Sequence, residues 1–108
     1  MNNERLSRLM DFLREDPDDP FTLYAIATEY ATYDPAQARQ YYEKLLKEHP
    51  QYVATYYHAA KLYQMNGETS NAEATYQKGI ALAQEQQDHL ALRELRNAYN
   101  EFLFEEED

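Results

Sequence analysis

His49, His58 and His89 are the side chains of this 108-residue chain best suited to acid–base or metal chemistry. A helix that binds a metal needs two such groups about one turn apart, with further donors converging on them, and no pair here has that spacing. His49 precedes Pro50 in a chain break, where an imidazole is expected to meet solvent. Cys is absent, which removes thiolate nucleophiles, Cys-based metal sites and disulfides and leaves the redox compartment open. Asp18-Asp19 and Glu105-Glu106-Glu107-Asp108 place carboxylates side by side, but in a break and at the terminus, where nothing desolvates them to shift a pKa. There is no Gly-rich phosphate loop and no Ser in a nucleophile turn. The expectation is a protein without catalysis, cofactor or metal.

The remaining side chains with chemical character are aromatic: 11 Tyr, 4 Phe and no Trp. Tyr couples a large apolar ring to a hydroxyl that needs water or a partner, which suits shallow interfaces between helices. Several of them recur. Asp11–Tyr30 matches Lys44–Tyr63 at a shift of 33, with identity at Leu13/Leu46, Glu15/Glu48, Pro17/Pro50, Thr22/Thr55, Tyr24/Tyr57, Ala27/Ala60 and Tyr30/Tyr63. A fixed period in this range marks stacked copies of one supersecondary unit, none of which can bury its apolar face alone.

The elements that must position these residues are helices. Only 2 Gly and 4 Pro interrupt the chain. Apolar residues recur at 3.6-residue spacing over six segments. The periodicity predicts helices over about 3–15, 20–32, 35–48, 52–65, 69–83 or slightly beyond, and 89–104. Asp16-Pro17-Asp18-Asp19-Pro20 and His49-Pro50 break the pattern because Pro disfavours helical geometry before itself yet fits a first turn. Asp34-Pro35 reads as a cap followed by a first-turn Pro, and Thr69 or Ser70 as a cap. Asn66-Gly67 reads as a helix stop with access to the left-handed conformation, and Gln84 to Asp88 as a polar joint. Short connections make neighbours antiparallel hairpins. The predicted class is all-α, a short α-solenoid of about six helices in a single domain.

The fourth segment reads Tyr56-x2-Ala59-Ala60-x2-Tyr63 and the fifth Ala72-x3-Tyr76. The second and third read Leu23-x2-Ile26-Ala27-x2-Tyr30 and Ala38-x3-Tyr42, with Pro50 following. This resembles the tetratricopeptide repeat, W-x2-L-G-x2-Y, then A-x3-F, then Pro. The Trp positions, the Gly and the second Pro are substituted. Small residues at Ala27, Ala38, Ala60 and Ala72 suit close helix crossings. The resemblance implies a half-repeat helix over 3–17, repeats over 20–50 and 52–84, and a capping helix over 88–104. It also implies that the first helix of each repeat lines an inner groove, facing it with Tyr24 and Thr28, and with Tyr57, His58, Lys61 and Gln64. Tyr at both leading positions argues against the Lys/Asn clamp that chaperone-tail-binding members use. Whether the two tyrosines bind a partner or only close the groove stays open.

The terminal segments read as end caps. The first places Leu9 in the ring position but Arg5 where the small residue would sit. The last carries Ala91-x3-Leu95-x2-Ala98, similar to a second-helix pattern with its register open. Phe102, Leu103 and Phe104 are consecutive, and a helix cannot bury three successive side chains in one core, so the end either exposes an apolar side chain or frays. Formal net charge is −10, from 20 acidic and 10 basic residues. Such a chain repels phosphate backbones and anionic headgroups, which argues against nucleic-acid and membrane partners. No secretory signal or spanning segment is present in the sequence, so a cytoplasmic location is expected. The reading is a non-catalytic scaffold or adaptor for a neutral or basic protein or peptide. The alternative is an assembly subunit that forms a homo-oligomer through Phe102, Leu103 and Phe104.

Overall fold

The computed structural model describes residues 3–107, which form six helices: α1 Asn3–Glu15, α2 Pro20–Tyr30, α3 Pro35–Glu48, α4 Ala54–Met65, α5 Thr69–Gln86 and α6 His89–Glu106. No strand occurs among the described residues. The fold is an all-α helical repeat, and it divides into two compact units, one up to Tyr52 and one from Val53.

In the first unit, α1 packs on α2 and α2 pairs with α3. Leu9, Ala25 and Ile26 form a buried cluster, flanked by Leu6, Met10, Leu13, Tyr30 and Tyr41. Helix starts follow local chemistry. Asp19 caps α2, accepting from the Thr22 amide at 3.2 Å and the Thr22 hydroxyl at 2.6 Å, with Pro20 in the first turn. The Thr22 hydroxyl is the main reason the Asp19 carboxyl sits below its usual pKa. Asp34 caps α3 through the Gln37 amide at 3.3 Å. Helix α2 stops two residues earlier than the periodicity predicts, because the Tyr33 and Asp34 amides both turn back to the Tyr30 carbonyl.

The second unit packs α4 on α5, and α6 on both. Its first helix starts at Ala54 rather than Tyr52. The repeat shift places Tyr52 where Asp19 stood, so the α4 N-terminus has no side-chain cap, and the buried Thr55 hydroxyl finds no hydrogen-bond partner. The turn after α4 behaves as Asn66-Gly67 suggests. Gly67 takes φ +76°, the Glu68 amide reaches the Tyr63 carbonyl and the Gly67 amide the Gln64 carbonyl. That closure consumes the residues up to Glu68, whose carbonyl accepts the first α5 bond from Ala72. Thr69 is therefore the first helical residue, and neither Thr69 nor Ser70 is the cap. The expected polar joint is mostly helix: α5 runs to Gln86 and closes through left-handed Gln87, φ 57°.

The four alanines of the repeat pattern, Ala27, Ala38, Ala60 and Ala72, are each 0% exposed. One contact is tighter still. A Cβ on Gly79 of α5 would lie 2.6 Å from Tyr56 Cβ of α4 and 3.2 Å from both δ-methyls of Leu95 in α6. Nothing in the sequence pattern marks this glycine, since its requirement comes from two neighbours distant in the chain.

Candidate functional site

In the first unit, the Tyr24 ring is half-buried and tilts against Tyr52 at 5.8 Å between centroids. Thr28 is also half-buried, and its hydroxyl donates to the Ala25 carbonyl at 2.9 Å, within its own helix. Tyr24 and Thr28 stand one helical turn apart on α2.

The second unit carries a richer arrangement on α4. Lys61 lies one turn beyond Tyr57, with its Nζ 5.9 Å from the ring centroid, within reach of the ring quadrupole. The His58 ring meets Tyr57 edge-on at 5.4 Å. Gln64 plays a different part from an open groove residue. Its amide oxygen accepts from the Tyr76 hydroxyl at 2.8 Å, and its nitrogen donates to Glu105 at 2.9 Å. It thereby ties α4 to both α5 and the end of α6.

Helix α6 supplies carboxylates that the sequence reading did not assign to the site. Glu94 acts electrostatically on His58. Glu101 and Glu105 act on Tyr76, whose hydroxyl is pushed up to about 12, first by burial, then by Tyr57 and these two charges. Glu94, Glu101 and Glu105 stand seven and four residues apart, one helical stripe, and that spacing was the available signal. It could be interpreted only once α6 was known to lie against α4.

Phe102 is 1% exposed and packs on Tyr76 at 5.5 Å, so it belongs to the core and cannot meet another molecule. Leu103 and Phe104 are 37% and 70% exposed, and α6 remains helical to Glu106, so exposure rather than fraying resolves the Phe-Leu-Phe run. Among the described residues no group of His, Asp and Glu could hold a metal ion, and no helix is long and apolar enough to cross a membrane.

Burial is the main cause holding the His58 imidazole below its usual pKa, with Glu94 opposing it. The folded state then takes up a proton at His58 less readily than the unfolded chain. This contribution to stability is complete above the ordinary imidazole pKa of about 6.5 and is lost as pH falls below it. Thermal melts should therefore drop between about pH 7 and pH 5, and His58→Gln should flatten that part of the curve. An unchanged slope in the variant would mean that the loss arises elsewhere.

A tetratricopeptide-repeat family model matches residues 29–95. The chain is 41% identical to a tetratricopeptide repeat domain protein from Salinibacter ruber solved by NMR, with a TM-score of 0.75 over 81% of this chain and 89% of that one. A crystal structure of such a domain protein from the same organism gives 40% identity and a TM-score of 0.75 over 79% and 96%. A Bordetella parapertussis protein shares the fold at 22% identity, with a TM-score of 0.78 over 93% and 88%. No curated protein matches. The chain belongs to the tetratricopeptide repeat family, whose fold serves in general as a protein–protein interaction scaffold and not as a catalyst.

Proposed function

We propose that this protein is a cytoplasmic, non-catalytic adaptor that binds a basic peptide segment on the α4–α6 face of its second unit. The observation that carries this reading is Lys61 over the Tyr57 ring on α4, with Gln64 of the same helix hydrogen-bonded to Glu105 of the acidic α6 stripe. A peptide Lys or Arg can displace Lys61 from the Tyr57 ring while the carboxylates of α6 neutralise it. Gln64 holds the Tyr76 hydroxyl and Glu105 in place, which pre-organises the acidic side of the site. Tyr24 and Thr28 offer a second, smaller contact surface on the first unit. The net charge of −10 disfavours nucleic acid and anionic lipid as partners.

Binding of labelled protein to an array of basic, neutral and acidic peptides tests this. Basic peptides should be preferred, with affinity falling about 10-fold or more between low and high salt. Tyr57→Ala and Glu101→Lys should each weaken binding, with melts close to the parent. Equal binding of acidic and basic peptides, or full affinity in both variants, would rule the site out.

A second reading, favoured by the exposure of Leu103 and Phe104, is self-association through the end of α6.

A further inference from the structure

We infer that Asn66 is a site of spontaneous covalent modification, where the side-chain amide is lost as ammonia through a cyclic imide formed with the Gly67 backbone nitrogen. Asparagine is among the chemically labile side chains, and of six in this chain only Asn66 precedes glycine. Asn66 and Gly67 are both exposed, in the turn between α4 and α5. Gly67 takes φ +76°, and nothing lies within 4 Å of the place a Cβ would occupy. No side chain therefore shields its nitrogen or hinders rotation of the backbone around it. Asn71, Asn97 and Asn100 lie within α5 and α6, where the amide that follows is held in the helical ladder.

The reaction balances with the chain and water alone. The Gly67 nitrogen gives its proton to solvent base and attacks Asn66 Cγ. The new N–C bond closes a five-membered imide, and the side-chain nitrogen leaves as ammonia. Water then opens the ring at either carbonyl. One opening gives an aspartyl residue; the other gives an isoaspartyl residue, whose main chain runs through the former side chain. The native turn sets the rate. Asn66 stands at ψ 2°, and the Gly67 amide donates to the Gln64 carbonyl at 3.1 Å. That bond must break and ψ must rotate before the nitrogen can face Cγ, so attack follows local opening of the turn. Either product then alters the end of α4. A carboxylate at the C-terminus of a helix is opposed by the helix dipole. The isoaspartyl form also lengthens the main chain where the Gly67–Gln64 and Glu68–Tyr63 bonds close the turn. Modified molecules are therefore more acidic and less stable, and their share records the age of the protein.

Prolonged incubation of the full chain in mildly acidic and mildly alkaline buffer, followed by ion exchange and peptide mass mapping, tests it. Acidic species should accumulate, faster in the alkaline buffer because the attacking nitrogen must lose its proton. The map should place the change at Asn66 in two isomeric forms. Asn66→Gln should lose these species, since its imide ring would need six members. Asn66→Asp should co-elute with one of the two products and melt below the parent. Urea should speed the reaction by holding the turn open.

Acidic species that persist in Asn66→Gln would move the reaction to another residue and overturn the assignment. A product without the isoaspartyl form, or a rate that does not rise with pH, would overturn the imide route. A native chain that stays unmodified while the same chain reacts in urea would show that the folded turn is closed to attack, which also overturns it. An Asn66→Asp melt equal to the parent's would overturn the loss of stability.

Discussion

Cutting the chain after Gln87 should leave a fragment that aggregates or is largely unfolded at room temperature. Helix α6 seals the second unit: Leu95, Ala98 and Phe102 are 1%, 3% and 1% exposed. Its aromatic rings cover Tyr76, with Phe102 and Tyr99 centroids 5.5 Å and 5.8 Å away. Tyr76 itself is 0% exposed, so removal of α6 brings a large ring and the α5 groove around Gly79 into water. Each large apolar side chain re-exposed costs about 1.5–3 kcal/mol, against a total stability of about 5–15 kcal/mol for a domain of this size. In repeat proteins the loss of an end piece also removes its whole interface with the neighbour.

A graded version uses Phe102→Ala, which should cost about 3–5 kcal/mol through the cavity left beside Tyr76. Removing only Glu105 to Asp108 takes away the exposed bond that Gln64 donates to Glu105, together with the solvent-exposed last turn of α6, and should cost about 1 kcal/mol or less. Circular dichroism melts separate the three. A soluble, cooperative, fully helical 1–87 fragment would sink the sealing role of α6.

Gly79→Ala should destabilise the protein by about 1–3 kcal/mol, although Ala in a helix ordinarily gains about 1 kcal/mol over Gly. The new methyl would meet Tyr56 Cβ at 2.6 Å, an atom fixed to the α4 backbone, so α4 and α5 must move apart. Both δ-methyls of Leu95 in α6, at 3.2 Å, would have to give way as well. Overpacking therefore outweighs helix propensity here. Ala81→Gly, at an exposed position two residues on, should also destabilise, by about 1 kcal/mol, through propensity alone. Ala60→Leu should fall in the same range as Gly79→Ala, about 1–3 kcal/mol, because Ala60 is fully buried. A Gly79→Ala protein that melts above the parent would show that the helices accommodate the methyl.

Helix existence and the repeat were legible in the residues alone. Those properties are local: Pro at Pro20 and Pro35 starts helices, Gly67 stops one, and alternation of large and small residues marks buried stripes. Helix ends were less legible, because Ser and Thr at Ser70 and Thr69 are capable caps that the Gly67–Glu68 closure left no room to use.

The candidate site was half visible. Tyr57, His58 and Lys61 share one helix, so their nearness follows from spacing, whereas Gln64's tie to Tyr76 and Glu105 depends on where α5 and α6 lie. The sequence by itself determined six helices, a two-copy repeat and an acidic chain. Only the tertiary structure decided that α6 sits beside α4 as well as α5, that Leu103 and Phe104 stay helical and exposed, and that Gly79 admits no side chain. The reason is physical. Hydrogen bonding and periodicity act within about four residues of a helix. The choice of which stripe meets which neighbour is made by packing between segments far apart in the chain.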